Sequence, residues 1–294
     1  MNPPIKRVEF VQKYLDDIFA EDLHAKRVMS LANGALGVMT GASLAVSMIG
    51  QSLAQARGLL SKHAIKQVDR LLSNQGIVVW DMFAAWVAEV VGARKRIVVA
   101  MNWTDFHVSA ADGQTRPAAA WVGKGGRAHK LRDAEVTADR HKVGAVVCVK
   151  ARDMKEVWCL AASNAEATAR EIMNYYAKRW TIEPGFRDTK DLRFGMGLSV
   201  LRIADPQRRD RLLLLNAFAI VLLTLLGAAG ESLSMDRHLK VNTAKHRTHS
   251  LFRQGCMLYE LIPNMPEASL RPLVARFREY LNQHGALNQT FALV

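Results

Sequence analysis

The feature that most constrains the fold of this chain is a nineteen-residue apolar run from Leu212 to Gly230, in which only Asn216 and Thr224 are polar. Its length is close to the roughly 20 residues that cross a bilayer. The run is isolated, however, and it follows a charged segment, Arg208–Arg211, in a chain of otherwise soluble character. It therefore predicts a fully buried core helix rather than a membrane span.

The chain is long enough for two domains, since single cores seldom grow past about 250 to 300 residues. It has 294 residues, half of them hydrophobic, which excludes a disordered tail and a disulfide-stapled mini-protein. The formal net charge of +13 indicates a polyanionic partner, most commonly nucleic acid. Three cysteines without paired spacing argue against a disulfide framework or a zinc site. Together with an N-terminus that has no continuous apolar stretch, they favour a cytoplasmic protein.

Residues 1–95 read as a helical N-terminal region, with predicted breaks near Asn33–Gly34, Gly58 and Asn74–Gly76. Around Gly58, the segments Gln51–Arg57 and Lys62–Leu72 predict two short amphipathic helices that resemble a helix-turn-helix unit. In the second segment three cations recur every four residues and so lie along one stripe. This stripe is either a DNA-binding surface or a solvated helix face; its members are Lys62, Lys66 and Arg70.

After residue 95 the pattern changes to strands, so the predicted fold class is α+β. The run Arg96–Met101 is typical of a buried central strand, and Val143–Val149 with Val157–Ala161 predicts a hairpin. Ser163 and Glu166 have the spacing of a capping box, which predicts a helix from there to about Trp180.

The most specific motif lies near the end of that predicted helix. Tyr176, Arg179, Glu183 and Lys190 fall at offsets 0, 3, 7 and 14, which on one continuous helix place all four on a single face. A carboxylate, two cations and a phenol are an odd group for a core. They suit a site where the carboxylate holds a divalent ion and the other three hold phosphate oxygens.

This Y-x2-R-x3-E-x6-K pattern resembles the signature of the DDE transposases of bacterial insertion sequences, in the large subgroup named after insertion sequence 4. Arg179-Trp180-Thr181-Ile182-Glu183 resembles the R-W-x-I-E core of that family. The strand 96–101, with the Asn102-Trp103-Thr104 that follows, resembles its first catalytic strand. The resemblance covers most of the chain, from about residue 40 to residue 280.

The resemblance implies an RNase H-like catalytic core with an inserted β-region, in which two aspartates and a glutamate hold two magnesium ions for phosphodiester transfer. It assigns Glu183 as the third carboxylate and metal ligand. It assigns Tyr176, Arg179 and Lys190 as contacts to the phosphates of the element ends. The implied partners are DNA with terminal inverted repeats and a second copy of the chain on that DNA, with no membrane and no small-molecule substrate.

The sequence departs from the family pattern at the first two acids. Asn102 stands where the family has its first aspartate, and a neutral amide offers one ligand oxygen. The interval between Met101 and Ala120 is far shorter than the roughly 50 residues that the next strands and helix require. The domain 96–294 is therefore predicted to be truncated between about 101 and 120, with the second acid lost. Asp105 and Asp139 are the open candidates for replacement, although Asp139 reads better as part of a surface turn.

Pro184–Gly185, directly after Glu183, are the third departure. Proline is tolerated in the first turn of a helix but costs about 3 kcal/mol or more in its interior. The alternative to one continuous helix is therefore a break, with Tyr176 and Arg179 ending the first helix and a new helix beginning near Thr181.

Two functions from different classes remain open at this point. The first is a transposase that cuts and transfers DNA with magnesium, catalytically impaired in this copy. The second is a DNA-binding or inhibitory relic without catalysis. Cations are also concentrated in two clusters, Arg202–Arg211 and Arg237–Arg253. The second basic cluster, Arg237–Arg253, is either a solvated linker or, as the net charge of the chain favours, a source of further phosphate contacts.

Overall fold

The computed structural model describes residues 8–92, 107–178 and 182–282, with the backbone alone for Ile182 and Glu183. The chain forms two compact units. The helical unit comprises residues 1–95 and 184–294, and the sheet unit comprises residues 96–183. Mixed helix and antiparallel sheet confirm the α+β class.

The helical unit is built around its longest helix, α8, which contains the apolar run. Asp205 caps this helix by accepting from the backbone N–H of Arg208 (2.9 Å), and Pro206 occupies its first turn. Helix α8 packs against α2, α4, α5, α9 and α10. The described helices of this unit are α1 (Val8–Phe19), α2 (Ala25–Gly41), α3 (Val46–Arg57), α4 (Ser61–Leu72), α5 (Val79–Val91), α7 (Ile182–Lys190), α8 (Pro206–Ser232), α9 (Leu251–Leu261) and α10 (Glu267–Asn282).

Burial all around α8 confirms the prediction of a core helix. By length and composition α8 could also cross a membrane, as could α2 and α3 taken as one pair bent by 96°, but 78% of the apolar window in α8 is buried inside the protein. A core helix of a soluble protein passes the same test, so this finding is weak evidence for a membrane span.

Close backbone contact between α8 and α9 depends on two glycines. A Cβ atom on Gly227 would overlap the carbonyl oxygen of Leu251, and a Cβ atom on Gly255 would overlap that of Leu223. The two helices therefore approach at a distance that only glycine permits at these positions.

Two of the three predicted breaks in the N-terminal region are confirmed. Gly58 ends α3 in the left-handed conformation with φ of 66°, and Asn74–Gly76 lies between α4 and α5. The break near Asn33–Gly34 was wrong, because α2 runs through it without interruption. Gly34 is needed there for packing, since a Cβ atom would come within 2.7 Å of Leu71.

The sheet unit contains a five-stranded antiparallel sheet in the order β2-β1-β3-β4-β5. One face packs on Trp121, and the other packs on Ile172 of helix α6. The strands and helix are β1 (His107–Ser109), β2 (Thr115–Pro117), β3 (His129–Val136), β4 (His141–Val149), β5 (Trp158–Ala162) and α6 (Ala169–Ala177). The predicted hairpin is confirmed as β4 and β5.

Helix α6 begins five residues later than the sequence indicated, since its N-cap is Thr168 rather than Ser163. The capping box at Ser163 and Glu166 was wrong, because Asn164 instead accepts from the backbone N–H of Glu166 (2.9 Å) in a local turn. The real capping box pairs Thr168 with Glu171, in which Thr168 accepts from the N–H of Glu171 at 3.2 Å and Glu171 accepts from that of Thr168 at 2.8 Å.

The predicted domain 96–294 differs from the observed units, because residues 184–294 pack with residues 1–95. The physical reason is α8, whose apolar surface packs against α2, α4 and α5 from the N-terminal region as well as against α9 and α10. The predicted strand 96–101 lies outside the described residues. The RNase H-like core and the DNA-binding role of the N-terminal region stay predictions.

Candidate nucleic-acid interface

The signature motif lies on two helices rather than one. Tyr176 is close to the end of α6, and Glu183 and Lys190 belong to α7. Arg179 lies outside the described residues. Pro184 is in the first turn of α7, where its missing N–H has no helical partner to lose. The broken alternative therefore describes the backbone better than the continuous helix does.

Tyr176 is packed within the sheet unit. Its half-buried ring stands edge-on to Trp158 of β5, with ring centroids 4.9 Å apart. The position of the Tyr176 phenol is therefore set by helix α6, which carries it, and by the Trp158 ring on strand β5, which it contacts.

Lys190 is the last residue of α7 and is exposed. Its ammonium group lies 5.0 Å from the centre of the Phe186 ring, one turn earlier on the same helix. Its backbone carbonyl accepts a hydrogen bond from the hydroxyl of Ser199 (2.7 Å). A solvent-facing cation on an anchored helix end is available to a phosphate group.

Helix α7 is anchored by a buried carboxylate that the sequence analysis missed. Asp188 is only 7% exposed and accepts a hydrogen bond from Ser250, the N-cap of α9, whose hydroxyl oxygen also accepts from the N–H of Arg253 (3.1 Å). Burial raises the pKa of Asp188, and the hydrogen bond from Ser250 and the charges of Arg187 and Arg253 offset this in part. Because Ser250 is distant along the chain, no local pattern could have indicated this contact.

The segment after α7 forms hydrogen bonds with the last residues of that helix and with Asp191, which directly follows it. The carbonyl of Asp188 accepts from the N–H of Met196 (2.8 Å), and the carboxylate of Asp191 accepts from the N–H groups of Phe194 and Arg193 (2.7 Å each). These two hydrogen bonds lower the pKa of Asp191, and the one from Phe194 has the larger effect.

The cation stripe on α4 is exposed along its whole length. Its three members, Lys62, Lys66 and Arg70, face solvent, whereas Ala64, Val68, Leu71 and Leu72 are buried on the opposite side. The neighbouring Asp69 is paired with Arg208 at the start of α8 (2.7 Å), which fixes α4 to the core helix. The pair α3–α4, joined through Gly58, thus presents one face of three cations.

The second basic cluster is partly neutralised within the protein. Lys240 pairs with Asp236 (2.8 Å) and Arg247 pairs with Glu231 (2.9 Å). Arg237 and Lys245 are exposed. Fewer cations of this cluster are therefore available for phosphate contacts than its sequence indicates.

The described residues do not form a magnesium site. Among them, no three His, Cys, Asp or Glu side chains lie close enough together to hold a metal ion. Asp139 is exposed in the turn between β3 and β4, 4.0 Å from His141. Asn102 and Asp105 lie outside the described residues, as does the side chain of Glu183, so the predicted ligand Glu183 stays a prediction.

Comparison with known protein families gives a match for part of the chain. A family model described as "Transposase DDE domain" matches residues 89–222, rather less than half of the chain. No curated protein and no solved structure matches the chain at a significant level. The matched segment contains all four positions of the signature, from Tyr176 to Lys190. The match supports a DDE transposase family for this chain and, with it, a role in transposition and DNA as the partner.

Proposed function

We propose that the chain is an insertion-sequence transposase of the insertion-sequence-4 type, which binds the terminal inverted repeats of its element as a cytoplasmic protein. In this copy the DNA-cleaving centre is impaired by an internal deletion and by Asn102. The single observation that carries the proposal is the match to the transposase DDE domain over residues 89–222, which coincides with the Y-x2-R-x3-E-x6-K signature.

DNA binding is the part of this function that the described surface supports best. The stripe of Lys62, Lys66 and Arg70 presents three cations at one-turn intervals, and Lys190 presents another at the end of α7. Each phosphate that such a cation neutralises releases counterions, so binding should weaken steeply as salt rises. A net charge of +13 adds attraction over a longer range.

Cleavage needs a set of carboxylates that the described residues do not supply. In the family, magnesium held by three acids provides the activated oxygen and stabilises the leaving oxygen. Asn102 replaces one of these acids, and the short interval after Met101 leaves no room for the block that carries another. Complete loss of cutting would make the chain the second candidate, a relic that binds element ends or pairs with an intact transposase.

The binding proposal is tested with duplex DNA that carries the inverted repeats flanking the gene. Replacing Lys62, Lys66 and Arg70 together by Gln should lower the affinity about tenfold or more. It should also reduce the slope of log K against log salt by about 0.9 for each phosphate that the protein no longer neutralises.

A matched control removes the same charge elsewhere, by replacing Arg271, Arg276 and Arg278 of α10 with Gln. Two of these residues are paired on their own helix, with Glu267 and Glu279. The control should keep a salt slope close to that of the parent. Equal decreases in affinity in both triple variants would assign binding to net charge alone, and salt-insensitive binding would contradict the proposal.

The cleavage proposal is tested on the same DNA in magnesium. We expect the parent chain to bind the ends without nicking them, and Asn102→Asp to remain inactive because the deleted block is still missing. Activity restored by Asn102→Asp would place the defect at that residue alone. Nicking or strand transfer by the parent, abolished by Glu183→Gln, would show that the centre is intact and that impairment is wrong.

A further inference from the structure

Two of the three cysteines of the chain are brought together by the β4–β5 hairpin. Cys148 and Cys159 are direct partners in the antiparallel register of these strands. Directly opposed residues have Cα atoms about 4.5 or 5.5 Å apart. Both values lie within the roughly 4.4–6.8 Å range of disulfides. The sequence spacing gave no sign of this pairing, because it depends on the register of two strands.

Both thiols point to the same face of the sheet and touch each other. They belong to one apolar cluster with Val146 and Trp121. The thiol of Cys148 is hydrogen-bonded to the sulfur of Cys159, and this bond raises the pKa of Cys148 and lowers the pKa of Cys159. Cys148 is therefore the donor, and the thiolate forms more readily on Cys159.

The thiol of lower pKa is also the more accessible one. Cys159 lies on β5, an edge strand of the described sheet, and is partly exposed, whereas Cys148 is buried on the inner strand β4. A small oxidant can therefore reach Cys159 first, while Cys148 is held in position as its partner.

We propose that Cys148 and Cys159 form an oxidisable dithiol that a peroxide converts into an intrachain disulfide. The Cys159 thiolate attacks a peroxide oxygen, which breaks the O–O bond and yields a sulfenic acid and hydroxide. The Cys148 sulfur then attacks the Cys159 sulfur and displaces the hydroxyl group as water. In sum, two thiols and one hydrogen peroxide give one disulfide and two waters, with two electrons passing from sulfur to peroxide.

The third cysteine is an internal reference for this chemistry. Cys256 lies on α9 in the helical unit, where it is buried, and burial raises its pKa to about 12. A thiol with little thiolate at neutral pH reacts slowly with peroxide. Oxidation should therefore stop after the sheet-unit pair is consumed.

The test uses the folded full chain, hydrogen peroxide as the oxidant, and counts of free thiols before and after treatment. The parent should lose two of its three titratable thiols, lose the mass of two hydrogen atoms, remain monomeric on a non-reducing gel, and recover all thiols with a reductant. Peptide mapping should join Cys148 to Cys159. In Cys256→Ser the count should fall from two to none.

Single variants at the pair separate the two steps. In Cys148→Ala we expect the sulfenic acid of Cys159 to persist and to be captured by a 1,3-dione probe, with no intrachain disulfide. In Cys159→Ala the remaining two thiols should survive the same treatment. Circular dichroism checks that each variant is folded. If Cys148→Ala or Cys159→Ala does not fold, the thiol count of the Cys256→Ser chain decides the test.

The inference is overturned if the folded Cys256→Ser chain keeps both thiols. It is also overturned if the oxidised parent contains only disulfides between chains or disulfides to Cys256. Loss of DNA binding has no bearing on these readouts, so the result stands apart from the proposed function.

Discussion

At the scale of single residues, Asp188 shows how burial sets a pH dependence. Its folded pKa is raised above the ordinary value by desolvation, so the folded state binds this proton more tightly than the unfolded chain. The corresponding stability is fully present below the ordinary pKa of an aspartate and is lost as pH rises through the folded pKa. At neutral pH the ionised carboxylate of Asp188 therefore lowers the free energy of unfolding.

Asp188→Asn should raise the melting temperature at pH 7 by roughly 2–4 °C. The amide removes the buried charge and still accepts a hydrogen bond from Ser250. The gain should shrink as pH falls through the raised folded pKa of Asp188 and should be gone below the ordinary aspartate pKa of about 3.9, as followed by thermal denaturation across pH. Asp191→Asn is the control of opposite sign, because the pKa of Asp191 is lowered by the N–H groups of Phe194 and Arg193. A loss of stability in Asp188→Asn at pH 7 would mean that its pairing with arginines outweighs its desolvation.

Gly255→Ala should destabilise the helical unit by about 3 kcal/mol or more, because the new methyl group would meet the Leu223 carbonyl across the contact between α8 and α9. Gly185→Ala is the matched control, since its Cβ would meet nothing within 4 Å and its backbone is helical. That variant should gain up to about 1 kcal/mol from helix propensity. Chemical denaturation measures both, and a neutral Gly255→Ala would show that the two helices can separate without cost.

At the scale of elements, Arg211 joins the start of α8 to the end of α4. The residue is 4% exposed, and its guanidinium donates to the carbonyls of Ile77 (2.9 Å) and Leu72 (2.8 Å) and to Gln207 (3.2 Å). The Leu72 carbonyl belongs to the last turn of α4 and has no further helical N–H to accept from. An arginine in a basic segment thus completes a helix end instead of binding phosphate.

Arg211→Met should cost about 2–4 kcal/mol, because it leaves two buried carbonyls without their donor. Arg209→Met, two residues earlier at an exposed position, should change stability by no more than about 0.5 kcal/mol. Denaturant titration of the two variants tests the difference. Similar effects from both would indicate that water replaces the Arg211 hydrogen bonds in the variant.

At the scale of the whole molecule, the sheet unit is inserted in the sequence between the two segments that form the helical unit. The helical unit takes its residues from both ends of the chain, and residues 96–183 form the sheet unit between them. The cores share no described residue: one apolar cluster lies in the helical unit and two lie in the sheet unit. Each unit therefore has the means to unfold as a separate cooperative body.

Thermal unfolding followed by calorimetry should show two transitions. Gly255→Ala should move only the transition of the helical unit, because its contact lies wholly within that unit. The disulfide between Cys148 and Cys159 should move only the other transition. A single transition, shifted as a whole by either change, would contradict this independence.

The sequence by itself determined the features that depend on neighbours along the chain. The length and continuous apolar composition of one run predicted α8, and two apolar runs on either side of a polar segment predicted the β4–β5 hairpin. Gly58 marked the turn between α3 and α4, where a positive φ is required. In each case the same short segment carries both the signal and the structure, so no distant contact is needed to read it.

Only the tertiary structure decided the features in which distant residues meet. Gly34 predicted a break by its own propensity, but contact with Leu215 makes it a packing position inside α2. Asp188 became a buried anchor through Ser250, and Cys148 acquired Cys159 as its partner through strand register. Burial and cross-strand pairing arise only when separate segments pack, so their energies override local preference, and a single sequence carries no local record of them.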